Sequence, residues 1–575
     1  MSMRARVAIL TGGLALAATP GTAAAATLSS TGAPANAVEV APKTALPTWP
    51  VGGFGAGVDT GGEATLWVDD QGTAHIAYFL PRPRYASNPQ QVALCTIPPG
   101  AHSCGATTTL DIGGTTTYRG STSYGTGDHL EFLTDPIGQT YLLVSVLDDS
   151  ASCSSIGGCT SGHTELFTLP ASGSPVQSTI SQVFDSGNVL EPDASGFDQV
   201  GTTATAFNSI GDPSADAPVY AFDPLTQGAS GGVQQLGANG YTPTDVTKLP
   251  NGDTAVVGQF EPFSGASAYK PQRVAMRLQP AAGGPFGPWR TIGVTNPVAL
   301  TFASSGSTYL LGASGFGTYS SPKSPTLQLY EFRGTQLGHP LTIGRWFGVG
   351  RPSGTSTDDW QQMPPLSADD AGLVHIAWTA RAGDDGCPQL AGHGTATECL
   401  LYRQVLPGLV PGPKIVLGES ETLLGGSKPF LGTLEGIAAN RHSDGWLLFG
   451  VAYQSGGPSS ANTLGQSLYA VQLPGSASVV KEAKLSGGAA HVTVSCAGGS
   501  GCAISARVTG RARTHAVSLG SSSLKLGSGQ VKPIAVKLNA AGKHLLSRHH
   551  QTLQLTVTQN VGQAPTIVYQ KTLTT

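Results

Sequence analysis

The residue types best suited to chemistry occur twice in one pattern. Asp69, Asp70, Gly72 and His75 in LWVDDQGTAHIAY are matched by Asp369, Asp370, Gly372 and His375 in PLSADDAGLVHIAW. Carboxylates beside an imidazole could act as acid and base, or as metal ligands. Positions equivalent to the histidines carry Tyr141 and Tyr309, which favours packing. We expect His75 and His375 to point between neighbouring repeats, each satisfied by a backbone group.

A second set of polar residues belongs to loops and strand entries. Glu63, Glu131, Asp193, Asp245, Asp358, Asp359 and Glu435 each precede a candidate inner strand. Arg82, Arg84 and Tyr85 in PRPRY follow one second strand, and Asp148-Asp149 and Asp384-Asp385 follow two others. Carboxylates around a funnel could bind Ca²⁺, which takes six to eight oxygens. At the right separation, two of them could work as acid and base on a glycosidic bond. The plainer reading is solvated loop carboxylates in an acidic domain. Beyond the Ca²⁺ option no cofactor is expected.

Other chemistry is excluded by motif. The chain has no H-E-x-x-H, no P-loop, and no G-x-G-x-x-G between strand and helix. No G-x-S-x-G sits at a strand-to-helix elbow, so serine-hydrolase chemistry has no foothold. His544, His549 and His550 read as a solvated turn after a short helical step rather than a metal site.

The elements that must position these residues are strands. Only 11% of the 575 residues are charged, and glycine numbers 78, about twice its usual share of roughly 7%. Apolar runs are cut into short pieces with no helical periodicity, an all-β composition. The Asp/Gly turn recurs at Gly72, Gly138, Gly201, Gly252, Gly306, Gly372 and Gly445. A strand, a tight turn and a second strand at such intervals predict a β-propeller, with seven blades as the best count. The turns then occupy one face, and the loop residues named above share the other.

The termini and cysteines complete the layout. Residues 1–26 read as a secretory signal peptide: Arg4 and Arg6, an apolar run from Val7 to Ala18, then an Ala-rich cleavage site. Residues 27–44 read as a flexible lead, 45–475 as the propeller and 476–575 as a separate basic β-sandwich with alternating Val/Thr strands. Between 27 and 475 there are 34 acidic and 18 basic residues; from 476 on, 11 basic residues accompany the single acid Glu482. Eight cysteines in four local pairs predict disulfides Cys95–Cys104, Cys153–Cys159, Cys387–Cys399 and Cys496–Cys502.

Two resemblances follow from quoted motifs. The tail, with VTVSC, a second cysteine, V-x-L-x-x-A-G-x-x-LL and LQLTVT, resembles a sandwich module of exported proteins of high-GC Gram-positive bacteria. This implies an accessory module. The repeat D-x-x-G-x-x-H-I-A-[YW] resembles propellers of the sialidase-like and BNR-repeat group. SADDAGLVHIAW comes near that group's Ser-x-Asp-x-Gly-x-x-Trp box, and no Phe-Arg-Ile-Pro segment is present; the resemblance implies the fold rather than the activity. The expectation is therefore an exported monomer, extracellular or envelope-associated, whose propeller binds a carbohydrate or cell-wall polymer. The alternatives are a glycoside hydrolase or polysaccharide lyase working in the funnel, and a structural surface scaffold. Neither nucleic acid nor an integral membrane segment is expected.

Overall fold

The computed structural model describes residues 37–41, 64–80, 91–105, 107–112, 129–134, 139–148, 161–170, 175–180, 199–200, 203–206, 220–222, 234–235, 241–249, 251, 253–260, 273–281, 285–295, 302–304, 307–314, 324–333, 336–346, 364–369, 372–381, 383–385, 387, 396–422, 429–455, 462–497, 499, 501–512, 515–547, 552–561 and 564–574. Within these, one short helix, Ala540–Leu546, accompanies an otherwise all-β architecture. No described helix is long and apolar enough to cross a membrane.

Seven small antiparallel sheets come first, in chain order. The first contains Ala64–Val68, Ala74–Phe79, Gln91–Ile97 and Thr107–Asp111, each strand paired with the one before it. The next six begin at His129–Thr134, Gln199–Val200, Tyr241–Lys248, Phe302–Ser304, Leu366–Ala368 and Pro429–Ala439. The leading strands of sheets three to seven touch in succession, and Pro429–Ala439 lies against Ala64–Val68, so the seventh sheet returns to the first.

The period of two along a strand explains this stacking. Successive side chains point to opposite faces, and the strand Val374–Arg381 is buried on both. Ile376 and Trp378 pack with Tyr309, Leu327 and Leu329 of the fifth sheet. Ala377 turns the other way, joining Leu400, Tyr402, Leu447 and Phe449 between the sixth and seventh sheets. A strand sandwiched between two sheets reads as a continuous apolar run, which is how VHIAWTA reads.

The seventh sheet corrects the expected lead. Its strands Pro429–Ala439, Gly445–Ser455 and Asn462–Gln472 are completed by Val38–Ala41, paired antiparallel to Asn462–Gln472. Val38, Val40 and Ala41 are buried with Ile76, Cys95 and Trp446. The stretch read as flexible therefore holds a structural strand, and the sheets begin before residue 45. Three apolar residues within VEVA were the local signal, overshadowed by the Ala/Thr/Pro-rich flanks.

From Ser476 two further sheets share one core. Ser476–Ser486, Ala489–Ala497 and Val531–Lys537 form the first; His515–Leu526, Cys502–Ala512, Thr552–Val561 and Ala564–Thr574 form the second. Ala490, Val492, Val494, Ile504, Ala506, Val508, Leu555 and Val557 meet between them. The Cys496–Cys502 bridge links a strand of each sheet. Cys95–Cys104 and Cys387–Cys399 are also formed, while Cys153 and Cys159 lie outside the described residues.

This last unit is docked, not tethered. Val410–Thr422 of the sixth sheet touches Ser476–Ser486 and Ala564–Thr574, Ser476 is buried, and the Gly499 amide donates to the Ser443 carbonyl in the seventh sheet. Gly499 has φ +64°, and a Cβ there would lie 2.7 Å from the Pro474 carbonyl carbon. Gly499→Ala is expected to loosen the junction at 474–476 without unfolding either part. Limited proteolysis should show faster cleavage there with unchanged fragments elsewhere; an unchanged rate would refute the contact's importance.

Candidate functional site

The repeated turns are the most completely defined polar feature. The Asp69 amide bonds Thr73 O, Gly72 N bonds Asp69 O, and the Asp69 carboxylate accepts from the Gln71 and Thr73 amides. Asp369 repeats this with Leu373 and Gly372, and Asn440 with His442, Ser443 and Asp444. Gly72 and Gly372 have φ of 79° and 78°, the left-handed conformation that the turn needs. In the seventh sheet that place belongs to Ser443, with φ 64°, not to Gly445, the marker expected from the sequence. Gly445 has a different reason to be small: a Cβ would meet Leu473 Cδ1 at 2.9 Å.

Each described turn is locked to its neighbour. Tyr309 Oη donates to Gly372 O at 3.3 Å, and Trp446 Nε1 donates to Gly72 O at 2.9 Å. Asn440 Nδ2 donates to Asp69 O, and Arg441 pairs with Asp70 at 2.6 Å. Tyr309 and Trp446 occupy the place of the histidines in their own sheets, so a polar ring bonding the next turn's backbone is the common solution. The histidines depart from it. His75 bonds its own Asp69 carboxylate at 3.0 Å and lies against Trp67. His375 is fully buried, its Nδ1 2.8 Å from Tyr402 Oη and its Nε2 4.0 Å from Asp369 Oδ2.

Around His375 the structure gathers residues that the sequence did not flag together. Ser443 Oγ donates to Asp369 Oδ2, and burial, reinforced by the charge of Asp369, pushes the Tyr402 hydroxyl well above its ordinary range. Serine, aspartate and histidine are the residue types of a nucleophilic triad, but the wiring is wrong. The serine bonds the carboxylate directly instead of the imidazole, and every member is buried away from substrate. The arrangement fastens the sixth sheet's turn to the seventh's. Nothing in sequence spacing pointed to Ser443 or Tyr402, which lie 74 and 27 residues from their partners.

The expected ligand-face residues divide into three groups. Glu63, Arg82, Arg84, Tyr85, Asp149, Asp193, Asp358 and Asp359 lie outside the described residues. Glu131, Asp245 and Glu435 sit in the leading strands of the second, fourth and seventh sheets, paired respectively with Leu143, Val257 and the region of a bulge at Leu434/Gly436. Glu131 and Glu435 are half-buried; Asp148 ends the strand Thr140–Asp148. Among the described residues no group of three His, Cys, Asp or Glu is placed to hold a metal ion.

Asp384 and Asp385 are fully placed and fully engaged. Lys414 Nζ and the Arg345 amide both donate to the Asp385 carboxylate, and Arg345 pairs with Asp384 at 3.3 Å. These cations come from the outer strands of the fifth and sixth sheets, so the carboxylates brace the seam beside the Cys387–Cys399 loop. Arg403 completes the brace, donating to Gly412 O at 2.9 Å and Ile343 O at 3.0 Å. Burial lowers its guanidinium's pKa, with the charge of Asp385 opposing. Arg277 makes the same hook to Gly287 O at 2.7 Å in the fourth sheet, a repeated device invisible in the Asp/Gly ruler because it falls on the third strand.

No family model matches the chain, and no curated protein matches it. Among solved structures it is similar to Hadza microbial sialidase Hz136, at 9% identity and a TM-score of 0.29, over 72% of this chain and 65% of that one. It is similar to the NanB sialidase from Streptococcus pneumoniae at 11% identity and a TM-score of 0.31, over 71% of this chain and 68% of that one. It is similar to the β-propeller domain of the Trilobed protease from Pyrococcus furiosus at 8% identity and a TM-score of 0.30, over 70% of this chain and 97% of that one. The chain thus spans about two thirds of the length of the sialidases it matches. At these scores the likenesses assign no activity, and the architecture rests on the sheets themselves.

Proposed function

We propose that the chain is an exported seven-bladed β-propeller with a C-terminal β-sandwich, and that the propeller binds an extracellular glycan through the face opposite its Asp/Gly turns. The observation that carries this reading is the engagement of the turn face. At the first, sixth and seventh sheets its polar groups bond between neighbouring sheets, and the C-terminal unit reaches the seventh turn, where the Gly499 amide donates to the Ser443 carbonyl. Loops on a rigid scaffold are the usual seat of binding, and the stretches left for that role carry Arg82, Arg84, Tyr85, Asp149 and the strand-entry carboxylates Glu63, Asp193, Asp358 and Asp359. The sandwich acts as an accessory module at the cell envelope.

A glycan array probed with the full mature chain tests the proposal. Enrichment for a glycan class, with Kd raised at least tenfold by Arg82→Ala/Arg84→Ala and unchanged by Asp69→Asn on the turn face, is the expected result. No enrichment, or equal loss in both variants, would overturn it. A glycan-active enzyme is the second reading, favoured by Glu131, Asp245 and Glu435 lying in leading strands. Turnover of a bound glycan, abolished by Glu131→Gln or Glu435→Gln, would select it.

A further inference from the structure

The outward face of the three-stranded sheet in the C-terminal unit gathers lysines. In the three-stranded sheet Lys484 pairs with His491 and Lys481 with Thr493, while Ala489 pairs with Lys537. His491 and Thr493 alternate with the buried Val492 and Val494, so these positions face outward together. Lys481, Lys484, His491 and Lys537 are all exposed. Lys543 of the short helix reaches the same end, its Cε 4.0 Å from a Cβ built at Gly488. The side chains among them are mostly small, Ser486, Ala489, Thr493 and Ala535, with Pro533 and the exposed Val531 on the same face.

Among the described residues of this unit one acid lies near these lysines, within reach of the Lys484 charge. Glu482, the only acidic residue after 475, is held at the neighbouring edge by Lys571, which lowers its carboxyl's pKa. In the four-stranded sheet the outward positions are mostly Ser, Thr, Gln and Asn; Arg507 and Lys525 are exposed charges paired across to Ser521 and Ala503, and Arg511 lies four residues beyond Arg507 on the same strand.

We propose that the outward face of the three-stranded sheet binds a linear phosphate-bearing polymer. This rests on the reading of the sandwich as an envelope module and gives that module a ligand class. Ammonium groups standing on a flat surface of small side chains suit a chain of phosphodiesters, each a point-charge partner. The face carries no arginine fork for bidentate carboxylate recognition, and no aromatic ring on which a nucleobase could stack.

The test measures anisotropy of a labelled poly(glycerol phosphate) with the full mature chain, from 50 to 200 mM salt. With four lysines engaged, log K should fall with log salt at a slope of about −3, roughly fifty-fold across that range. Lys484→Ser/Lys537→Ser should reduce the slope by about half and weaken binding more than tenfold at 50 mM salt. Arg507→Ser/Lys525→Ser removes the same charge from the other face and should change binding less than twofold. Equal loss in the two double variants would mean bulk charge and overturn the proposal, as would equal affinity for hyaluronate, a linear polyanion whose charges are carboxylates. All four positions are exposed, and matching thermal unfolding of both variants will exclude misfolding. Binding here is measured independently of the glycan array, and Arg82→Ala/Arg84→Ala should leave it intact, so either reading can fail without the other.

Discussion

Asp369→Ala is expected to destabilise the chain by about 3–5 kcal/mol, the summed cost of the buried donors it leaves unpaired. The carboxylate is fully buried and accepts from two groups, the Leu373 amide at 2.8 Å and Ser443 Oγ, with the His375 ring 4.0 Å away. Alanine strands both donors where water cannot reach, and each stranded donor costs about 1–3 kcal/mol. Asp69 occupies the same turn position with the same backbone bonds, but its side chain is 19% exposed and its His75 partner 29%. Solvent can replace what Asp69→Ala removes, so that variant should cost about 1 kcal/mol. Denaturant midpoints of the two variants, each against the parent, measure the difference. Equal losses would mean that burial does not distinguish the sites and would sink the explanation. Asp369→Asn keeps one acceptor and should recover part of the loss. Because the Ser443 carbonyl also receives the Gly499 amide, Asp369→Ala should in addition expose the 474–476 junction to protease.

That asymmetry between two identical motifs marks the limit of what the sequence could say. D-D-x-G-x-x-H-I-A reads the same in both sheets, and the turn, its glycine and the strands on either side all follow from it. Whether the histidine is half-exposed or sealed depends on its surroundings: Trp67 of the same hairpin beside His75, and around His375 Tyr402 of its own sheet and Ser443 of the adjacent one. The partners of His375 lie far from it in the chain, which local pattern does not encode. The expectation of a backbone partner failed for both histidines, which bond a carboxylate and a hydroxyl, while Tyr309 and Trp446 at the equivalent positions bond backbone carbonyls. Val38–Ala41 was missed for a related reason: a four-residue strand gains its stability from the edge it completes, not from its own pattern. Of the candidate site, Asp384 and Asp385 looked like ligand groups because their loop is closed by a disulfide. Only their cation partners, from two different sheets, show them bracing a seam.

Tyr402 should make the chain sensitive to alkali. Its hydroxyl is fully buried between the sixth and seventh sheets and bonds His375 Nδ1 at 2.8 Å. Burial, then the charge of Asp369, raises its pKa above the ordinary tyrosine value near 10. Below about pH 10 the folded and unfolded states both keep this proton, and stability is independent of it. Above that, the unfolded state releases the proton while the folded state retains it, so the unfolded state binds fewer protons and stability falls. The loss is about 1.4 kcal/mol per pH unit until the folded-state pKa is reached. Tyr78, Tyr309 and Tyr330 are shifted in the same direction by burial and add to the slope. Tyr402→Phe should therefore lower stability at pH 7, by about 1–3 kcal/mol, because His375 loses its partner. Between pH 10 and 11.5 the same variant should lose stability more slowly than the parent, by about one proton's worth of slope. The two curves should converge as pH rises. Denaturant titrations at each pH, with Tyr309→Phe alongside, separate this tyrosine from the general alkaline trend. Parallel curves for parent and Tyr402→Phe would mean that Tyr402 ionises freely in the folded chain. The seam between the sixth and seventh sheets would then have to admit water, and the buried network could not be what holds the two turns together.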